Sequence, residues 1–325
     1  MVKLETNYLG LTLQSPLIVS SSGLTNSVEN ISKFEALGAG AVVLKSLFEE
    51  QINYEAGINV ENGLSPEAHD YITAYSKTNA LEEYLTLIEN AKKAVKIPII
   101  ASINCMSVNE WISFAKDIEK AGADALELNV FFVASDKEKS SGKYENLYND
   151  LIVKVKQVTN LPLAVKIGCY FTNLPGMVHN LYVRGARGVV LFNRFYEPDI
   201  DIENLKLTTT GVFSSPADIR QSLRWVGIVS DRVEKIDIAA STGIHDGKAV
   251  IKQILAGAKA AQICSVLYKK GEEQIKVILE ELENWMNRKK YSTIEAFRGK
   301  LNYSRIPDPS LYERSQFMKY FSSYH

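Results

Sequence analysis

The residues of this chain that could do chemistry gather at the ends of short apolar runs. Lys45 closes Ala41-Val42-Val43-Leu44, and Lys166 closes Leu163-Ala164-Val165. Asn104, Asn129 and Asn193 end three more runs, and Ser21-Ser22-Gly23, Ser241-Thr242-Gly243 and Cys264-Ser265 end others. Taken singly, a strand-ending lysine is most often a solvated charge and an asparagine there a turn former. The joint pattern points further. A lysine whose stem is packed beside a strand either forms a Schiff base or balances negative charge on a bound group. Three amides offer donors and acceptors together, which suits the edge of a planar heterocycle. The small residues after 238–241 and 260–263 free backbone N–H groups, and helices expected at 246–255 and 272–285 add partial positive charge behind them. That combination is an anion site, for which phosphate is the usual occupant. No His, Asp or Glu cluster has metal-ligand spacing, so no catalytic metal is expected.

Those ends need a scaffold that brings them to one place. Apolar strands are expected at 16–20, 41–45, 97–103, 125–129, 161–166, 188–193, 238–241 and 260–263. Helical spacing follows at 28–37, 81–95, 109–120, 144–158, 177–185, 216–229, 246–255 and 272–285. Several strands read almost continuously Val, Ile, Leu and Ala, as strands covered on both faces do. Eight such units predict an α/β fold closed as a (β/α)8 TIM barrel, whose functional groups lie at the C-terminal strand ends. No Gly-x-Gly-x-x-Gly follows an early strand, which weighs against a dinucleotide-binding sheet. Residues 49–78 read as a polar loop broken by Gly57, Gly63 and Pro66, and 194–215 as irregular. One domain spanning 1–325 is expected, with an aromatic, polar strap at about 291–325 that lies on the barrel exterior or at a subunit contact.

Lys and Arg total 37 against 38 Asp and Glu, with no basic run, so a nucleic-acid partner is not expected. The first residues, Met1-Val2-Lys3-Leu4-Glu5, lack the apolar core of a signal peptide, and no apolar run suits a membrane span. Cys105, Cys169 and Cys264 are scattered and odd in number, the pattern of reduced thiols in a cytoplasmic protein.

The order Ser-Ser-Gly, Leu-Lys-Ser, Glu-Leu-Asn, Val-Lys-Ile, Asn193, Ser-Thr-Gly-Ile and Cys-Ser-Val-Leu resembles the dihydroorotate dehydrogenase family, in its soluble class 1 branch. The resemblance runs from Leu9 to about Leu301 and implies a single barrel holding FMN. It implies an oxidoreductase acting on CH–CH bonds, taking dihydroorotate to orotate in pyrimidine biosynthesis by hydride transfer to flavin. By position, Ser21, Ser22 and Gly23 would approach the flavin, and Lys45 and Ser46 would touch flavin and substrate. Asn104 and Asn129 would line the ring and the pyrimidine, and Lys166 would stabilise charge on the reduced ring. Phe192 would support the flavin by its backbone, with Asn193 towards substrate; Arg194 departs from the small hydroxyl residue of the family and is expected either to clamp a substrate carboxylate or to form a surface ion pair. Ser214 and Ser215 match a family turn, and Thr242, Gly243, Cys264 and Ser265 would hold the ribityl phosphate. The aromatic tail and loops suggest a homodimer, and the electron acceptor stays open between fumarate and a partner electron-transfer subunit.

The sequence departs from the family where a proton is removed. The family carries its base cysteine in Asn-Leu-Ser-Cys-Pro-Asn, and here Phe132 stands at the cysteine and Ala134 at the last asparagine. The family's substrate loop is only shadowed by Asn62-Gly63-Leu64, and Thr242 replaces a glycine of the phosphate turn. Losing a general base typically removes about 10²–10⁴ in rate. His69 is the candidate replacement, ahead of Cys105, Asp70 and Tyr144, because its ordinary pKa lies near neutrality. Two other readings stay open: a flavin-binding relative that has lost dihydroorotate chemistry, and a lyase using Lys166 as a Schiff-base lysine.

Overall fold

Short strands of Val, Ile, Leu and Ala, covered on both faces, form a closed ring in the structure, a computed structural model that describes residues 2–48, 66–104, 108–209 and 211–314. Of 66–78 and 108–111 it describes the backbone alone. An antiparallel hairpin, β1 (Thr6–Tyr8) and β2 (Leu11–Leu13), precedes the ring. The ring strands are β3 (Leu17–Val19), β4 (Ala41–Val43) with its two-residue continuation β5 (Leu47–Phe48), β6 (Ile99–Asn104), β7 (Ala125–Asn129), β8 (Leu163–Ile167) and β9 (Gly188–Leu191). A second hairpin, β10 (Pro198–Asp201) and β11 (Lys206–Thr209), interrupts them, and β12 (Asp237–Ser241) and β13 (Ala260–Ile263) complete the set. All ring pairings are parallel, and β13 pairs β3 while β4 pairs β6, so the sheet closes. This is the expected (β/α)8 barrel.

Alternation along each strand fills the barrel in tiers. Ile18, Val43, Ile100, Ala125, Ala164, Val190, Ala239 and Ala260 form one buried inner cluster, with Tyr8, Leu9 and Leu13 of the first hairpin packed into it. The other faces of the strands pack on the helices, where Leu17, Val42, Ile99, Leu126, Val165 and Val189 share a cluster with Phe34, Ile88, Phe114 and Ile152. Alanines let the inner tier close around the larger Ile and Val side chains. Two residues further along, the inward positions of every ring strand but β9, where Phe192 stands, turn polar, and the site begins there.

Several elements differ from the sequence expectation. The second long helix starts at Pro66, not at 81, and runs to Ala94. Proline is tolerated at the first helical position because its missing N–H has no partner there in any helix. The segment expected to be irregular holds β10 and β11, and Ile200, Leu207 and, in the turn between the strands, Ile202 and Leu205 are exposed. A six-residue helix, Ser265–Lys270, follows β13 directly and precedes the expected one, which spans Gln274–Lys289. Residues 291–314 run along the barrel exterior, with Gly299, Leu301 and Tyr303 donating backbone hydrogen bonds to Ile254, Leu255 and Gly227. The rest of the tail expected as a strap lies outside the described residues. Among the described residues no helix is long and apolar enough to cross a membrane.

Candidate functional site

Above the apolar tiers, Ser20, Ser102, Glu127, Lys166, Ser241 and Gln262 form a buried polar tier. Lys166 Nζ donates to Ser20 Oγ at 3.0 Å and to Gln262 Oε1 at 3.1 Å, and stands 3.6 Å from Glu127 Oε1. Gln262 Nε2 donates to Glu127 Oε2 at 2.6 Å, and Ser20 Oγ donates to Gln262 Oε1 at 3.1 Å. Alongside runs a hydroxyl chain: Ser21 Oγ to Ser46 Oγ at 3.0 Å, and Ser46 Oγ to Ser102 Oγ at 2.7 Å. Tyr84, on the helix after β5, donates its hydroxyl to the Ser102 carbonyl at 3.0 Å, and burial pushes that phenol well up. Buried charge of this kind rarely adds net stability over a well-packed apolar set, so its presence points to use.

A cavity of about 460 Å³ opens on this tier, a volume in the range of cofactor sites. Lys166, Gln262, Ser20, Ser241 and Asn193 line one part of it. Ser22, Ser214, Thr242, Gly243, Ile244, Cys264, Ser265 and Tyr268 line another. Thr242 and Gly243 take left-handed backbone conformations with φ of 74° and 78°. A β-branched residue pays strain there, and Thr242 Oγ1 donates to the Phe192 carbonyl at 3.1 Å, which fastens the turn to the neighbouring strand end. A Cβ at Gly243 would fall 2.1 Å from the Ile219 backbone nitrogen, so only glycine lets the turn approach the following segment. Cys264 is the N-cap of helix Ser265–Lys270, and burial pushes its thiol up, leaving it a packed neutral group. Phosphate sites after the last two strands of such barrels commonly use a short extra helix of this kind.

Of the expected site residues, Ser21, Ser22, Lys166, Asn193, Arg194, Ser214, Thr242, Gly243, Cys264 and Ser265 come together around this cavity. Gly23 lies just behind it, where an added Cβ would sit 3.1 Å from the Tyr268 hydroxyl. Ser46 and Phe192 support it through Ser21 and Thr242. Asn129 accepts a hydrogen bond from Asn193 Nδ2 at 2.8 Å, which couples two strand ends at the rim. Lys45 and Asn104 are half-buried at neighbouring strand ends and are not among the cavity-lining groups. The Arg194 guanidinium fastens the next loop. It donates to the Val212 and Gly211 carbonyls at 3.1 and 3.0 Å and pairs with Asp218 at 3.3 Å. Ser215 N also donates to Asp218, at 2.7 Å.

His245 was not among the residues expected at the site. It is buried, and its Nε2 lies 3.0 Å from Ser214 Oγ. Ser214 is held twice more: its N–H donates to Ser265 Oγ at 3.0 Å, and its carbonyl accepts from Lys269 Nζ at 2.8 Å. Burial, and then the Lys269 and Lys270 ammonium groups, hold the imidazole below its ordinary value, against the opposing pull of Asp218 and Asp246. The unfolded chain takes up this proton near pH 6.5 while the folded chain resists it, so the unfolded state binds more protons below that pH. The stability contributed is full above about pH 6.5 and is lost as pH falls towards the depressed folded value. Thermal melts between about pH 5 and 8 are expected to show this loss, and H245Q to flatten it. An unchanged slope in H245Q contradicts the assignment.

Phe132, at the position of the family cysteine, turns towards an aromatic pocket. Its ring meets Tyr148 edge-on at a centroid distance of 5.2 Å, and Tyr148 meets Phe171 at 5.5 Å. Phe132 lines a second cavity of about 70 Å³ with Phe131, Tyr170 and Phe195, not the larger one. Phe131 stacks on Phe195 at 3.9 Å, and the tip of the Phe195 ring abuts Gly168, where an added Cβ would fall 2.3 Å from its Cζ. The side chains of His69 and Asp70, and all of Cys105 and 62–64, lie outside the described residues. His69 belongs to helix Pro66–Ala94, 15 residues before Tyr84, which is about 22 Å along the helix axis. Tyr144 lines the second cavity.

A family model described as dihydroorotate dehydrogenase matches residues 3–286. The chain belongs to the dihydroorotate dehydrogenase family. That family comprises oxidoreductases that act on CH–CH bonds and oxidise dihydroorotate to orotate in pyrimidine biosynthesis. The chain is similar to the dihydroorotate dehydrogenase B (NAD(+)), catalytic subunit, of Thermoplasma acidophilum, 26% identical over 92% of this chain and 99% of that one. The protein of the same name from Saccharolobus solfataricus is 29% identical over 86% and 93%. Dihydroorotate dehydrogenase A (fumarate) of Lactobacillus helveticus is 26% identical over 94% and 100%. Full-length similarity to dihydroorotate dehydrogenases thus coexists with a phenylalanine in place of the base.

Proposed function

We propose that the chain is an FMN-dependent oxidoreductase that oxidises dihydroorotate, or a closely related dihydropyrimidine, by hydride transfer to the flavin. The observation that carries this reading is one cavity with a buried lysine at its base and the Gly243 and Cys264 turns at its side. Bound FMN supplies the two-electron acceptor for the hydride. Lys166, fixed by Ser20 and Gln262, balances the negative charge that the ring gains on reduction. Ser21, Ser22 and Gly23 bound the ring on one side, and Ser46 orients Ser21. Thr242, Gly243, Cys264 and Ser265 would hold the phosphate, with Ser214 and Ser215 in the neighbouring loop and Phe192 bracing the turn. Asn129, Asn193, Lys45 and Asn104 face the substrate, and Arg194 acts by holding the loop at 211–218. Phe132, packed on Tyr148, accepts no proton, so the proton lost with the hydride passes to another group, for which His69 is the candidate.

The test is anaerobic addition of dihydroorotate to the FMN-loaded protein. Loss of flavin absorbance with formation of orotate is the expected result. Flavin that binds and stays oxidised with dihydroorotate and with a panel of dihydropyrimidines overturns the reading, and favours a site that has lost this chemistry through Phe132. A subunit contact belongs to the same proposal, supported by relatives named as catalytic subunits and by the exposed apolar side chains of β10 and β11. A homodimer is the state expected for the purified chain by light scattering.

A further inference from the structure

Glu127 takes no part in the steps above, yet it is the most enclosed charged group of the site, with 1% of its surface exposed. Its position follows from alternation on β7: Ala125 faces the inner apolar cluster, so Glu127, two residues on, faces the same axis one tier higher. One carboxylate oxygen, Oε2, accepts from Gln262 at 2.6 Å. The other, Oε1, has no hydrogen-bond partner, is shut off from solvent, and lies 3.6 Å from Lys166 Nζ.

These contacts fix more than the carboxylate. An ionised carboxylate can only accept, so Glu127 compels Gln262 to turn its amide nitrogen inward. The Gln262 oxygen then faces Lys166 and Ser20, which it accepts from at 3.1 Å each. Lys166 is thereby held between one negative charge below and one carbonyl dipole beside it, while the same lysine lines the cavity. Any group in the cavity sees the lysine partly neutralised. In a site screened from water, that subtraction is felt strongly.

We propose that Glu127 is a positioning residue that sets the electron affinity of the bound flavin, by partly cancelling Lys166 and by orienting Gln262 beside that lysine. The inference rests on the flavin reading above. Removing the negative charge while keeping the shape leaves Lys166 uncompensated, and a ring that gains negative charge on reduction becomes easier to reduce. E127Q is therefore expected to raise the two-electron midpoint potential by about 30 mV, which corresponds to a tenfold shift in the equilibrium constant. Sulfite adds to oxidised flavin and leaves negative charge on the ring, so E127Q is expected to bind it about tenfold more tightly, in line with that potential shift.

The experiment measures potential and sulfite affinity on FMN-loaded wild type, E127Q and E127D, with no substrate present. E127D keeps the charge and is expected to stay near wild type in both readouts. A merely structural carboxylate would change thermal stability in the variants without this dependence on charge. Unaltered potential and sulfite affinity in E127Q overturn the proposal. If E127Q does not fold, Q262L decides: Glu127 then turns both oxygens to Lys166, and sulfite affinity falls, whereas an unchanged affinity overturns the proposal. Wild-type protein that takes up no flavin defeats the flavin reading itself, and is distinguished by the absence of flavin absorbance before any variant is compared.

Discussion

Lys166→Met is expected to slow reduction of the bound flavin by dihydroorotate about 10²–10³-fold, the usual cost of deleting one preorganised charge that meets charge developing in a transition state. The substitution has a second effect that separates it from a generic defect. Lys166 is the only cation within ion-pair distance of Glu127 among the described residues. Removing one partner of a buried ion pair leaves the other uncompensated and typically costs about 3–5 kcal/mol. The single variant is thus expected to be both slow and unstable, whereas K166M/E127Q removes both charges and recovers most of the stability. The rate does not return, because the group that meets the flavin is still missing. Urea melts and rapid-mixing reduction kinetics on the four proteins of this cycle give both quantities. A K166M protein that reduces its flavin within threefold of wild type removes Lys166 from the chemistry.

The second large effect is expected at Gly243. A side chain there meets backbone, not a flexible tip: Ile219 N at 2.1 Å and the Asp218 carbonyl carbon at 2.7 Å. Its φ of 78° also adds strain for any branched residue. G243V therefore forces apart the turn after β12 and the start of helix Ile219–Arg232. Asp218, which holds Ser215 and Arg194, moves with it. Stability is expected to fall by about 3 kcal/mol. FMN affinity falls on the order of 100-fold, or about 2.8 kcal/mol. Thermal denaturation and FMN fluorescence titration measure the two losses. A variant that melts with wild type and binds FMN equally shows that the turn does not abut the cofactor.

The barrel was legible because strands buried on both faces leave continuous apolar runs, and 161–166 and 238–241 could scarcely be anything else. The first hairpin was not legible, since Thr6–Tyr8 and Leu11–Leu13 are too short to show a period. β10 and β11 escaped for the opposite reason: almost every residue is exposed, so nothing alternates. The start of helix Pro66–Ala94 was hidden by a proline read as a breaker, although proline suits a first turn. Short helix Ser265–Lys270 was folded into the longer one behind it.

The rim of the site was legible from strand ends, because the barrel sends those ends to one face. The tier beneath was not. Ser20, Glu127 and Gln262 each stand two residues beyond an inward apolar residue, a signal that was present but that looks like an isolated polar interruption until the strands are paired. His245 carried no signal, since its partner Ser214 is 31 residues away. Arg194 read equally well as a substrate clamp or a surface ion pair, and only the carbonyls of Gly211 and Val212 reveal which loop it grips. That Phe132 packs on Tyr148 is a property of the loop's path, which residue types alone do not encode.

On the proposed reading, the strand ends build one site for a phosphorylated flavin. The most direct measurement is a fluorescence titration of flavin-free protein with FMN and, separately, with riboflavin, which has the same ring and no phosphate. FMN is expected to bind at least about 100-fold more tightly than riboflavin, because the Gly243 and Cys264 turns act on the phosphate alone. Equal affinity for the two, or no binding of either, contradicts it.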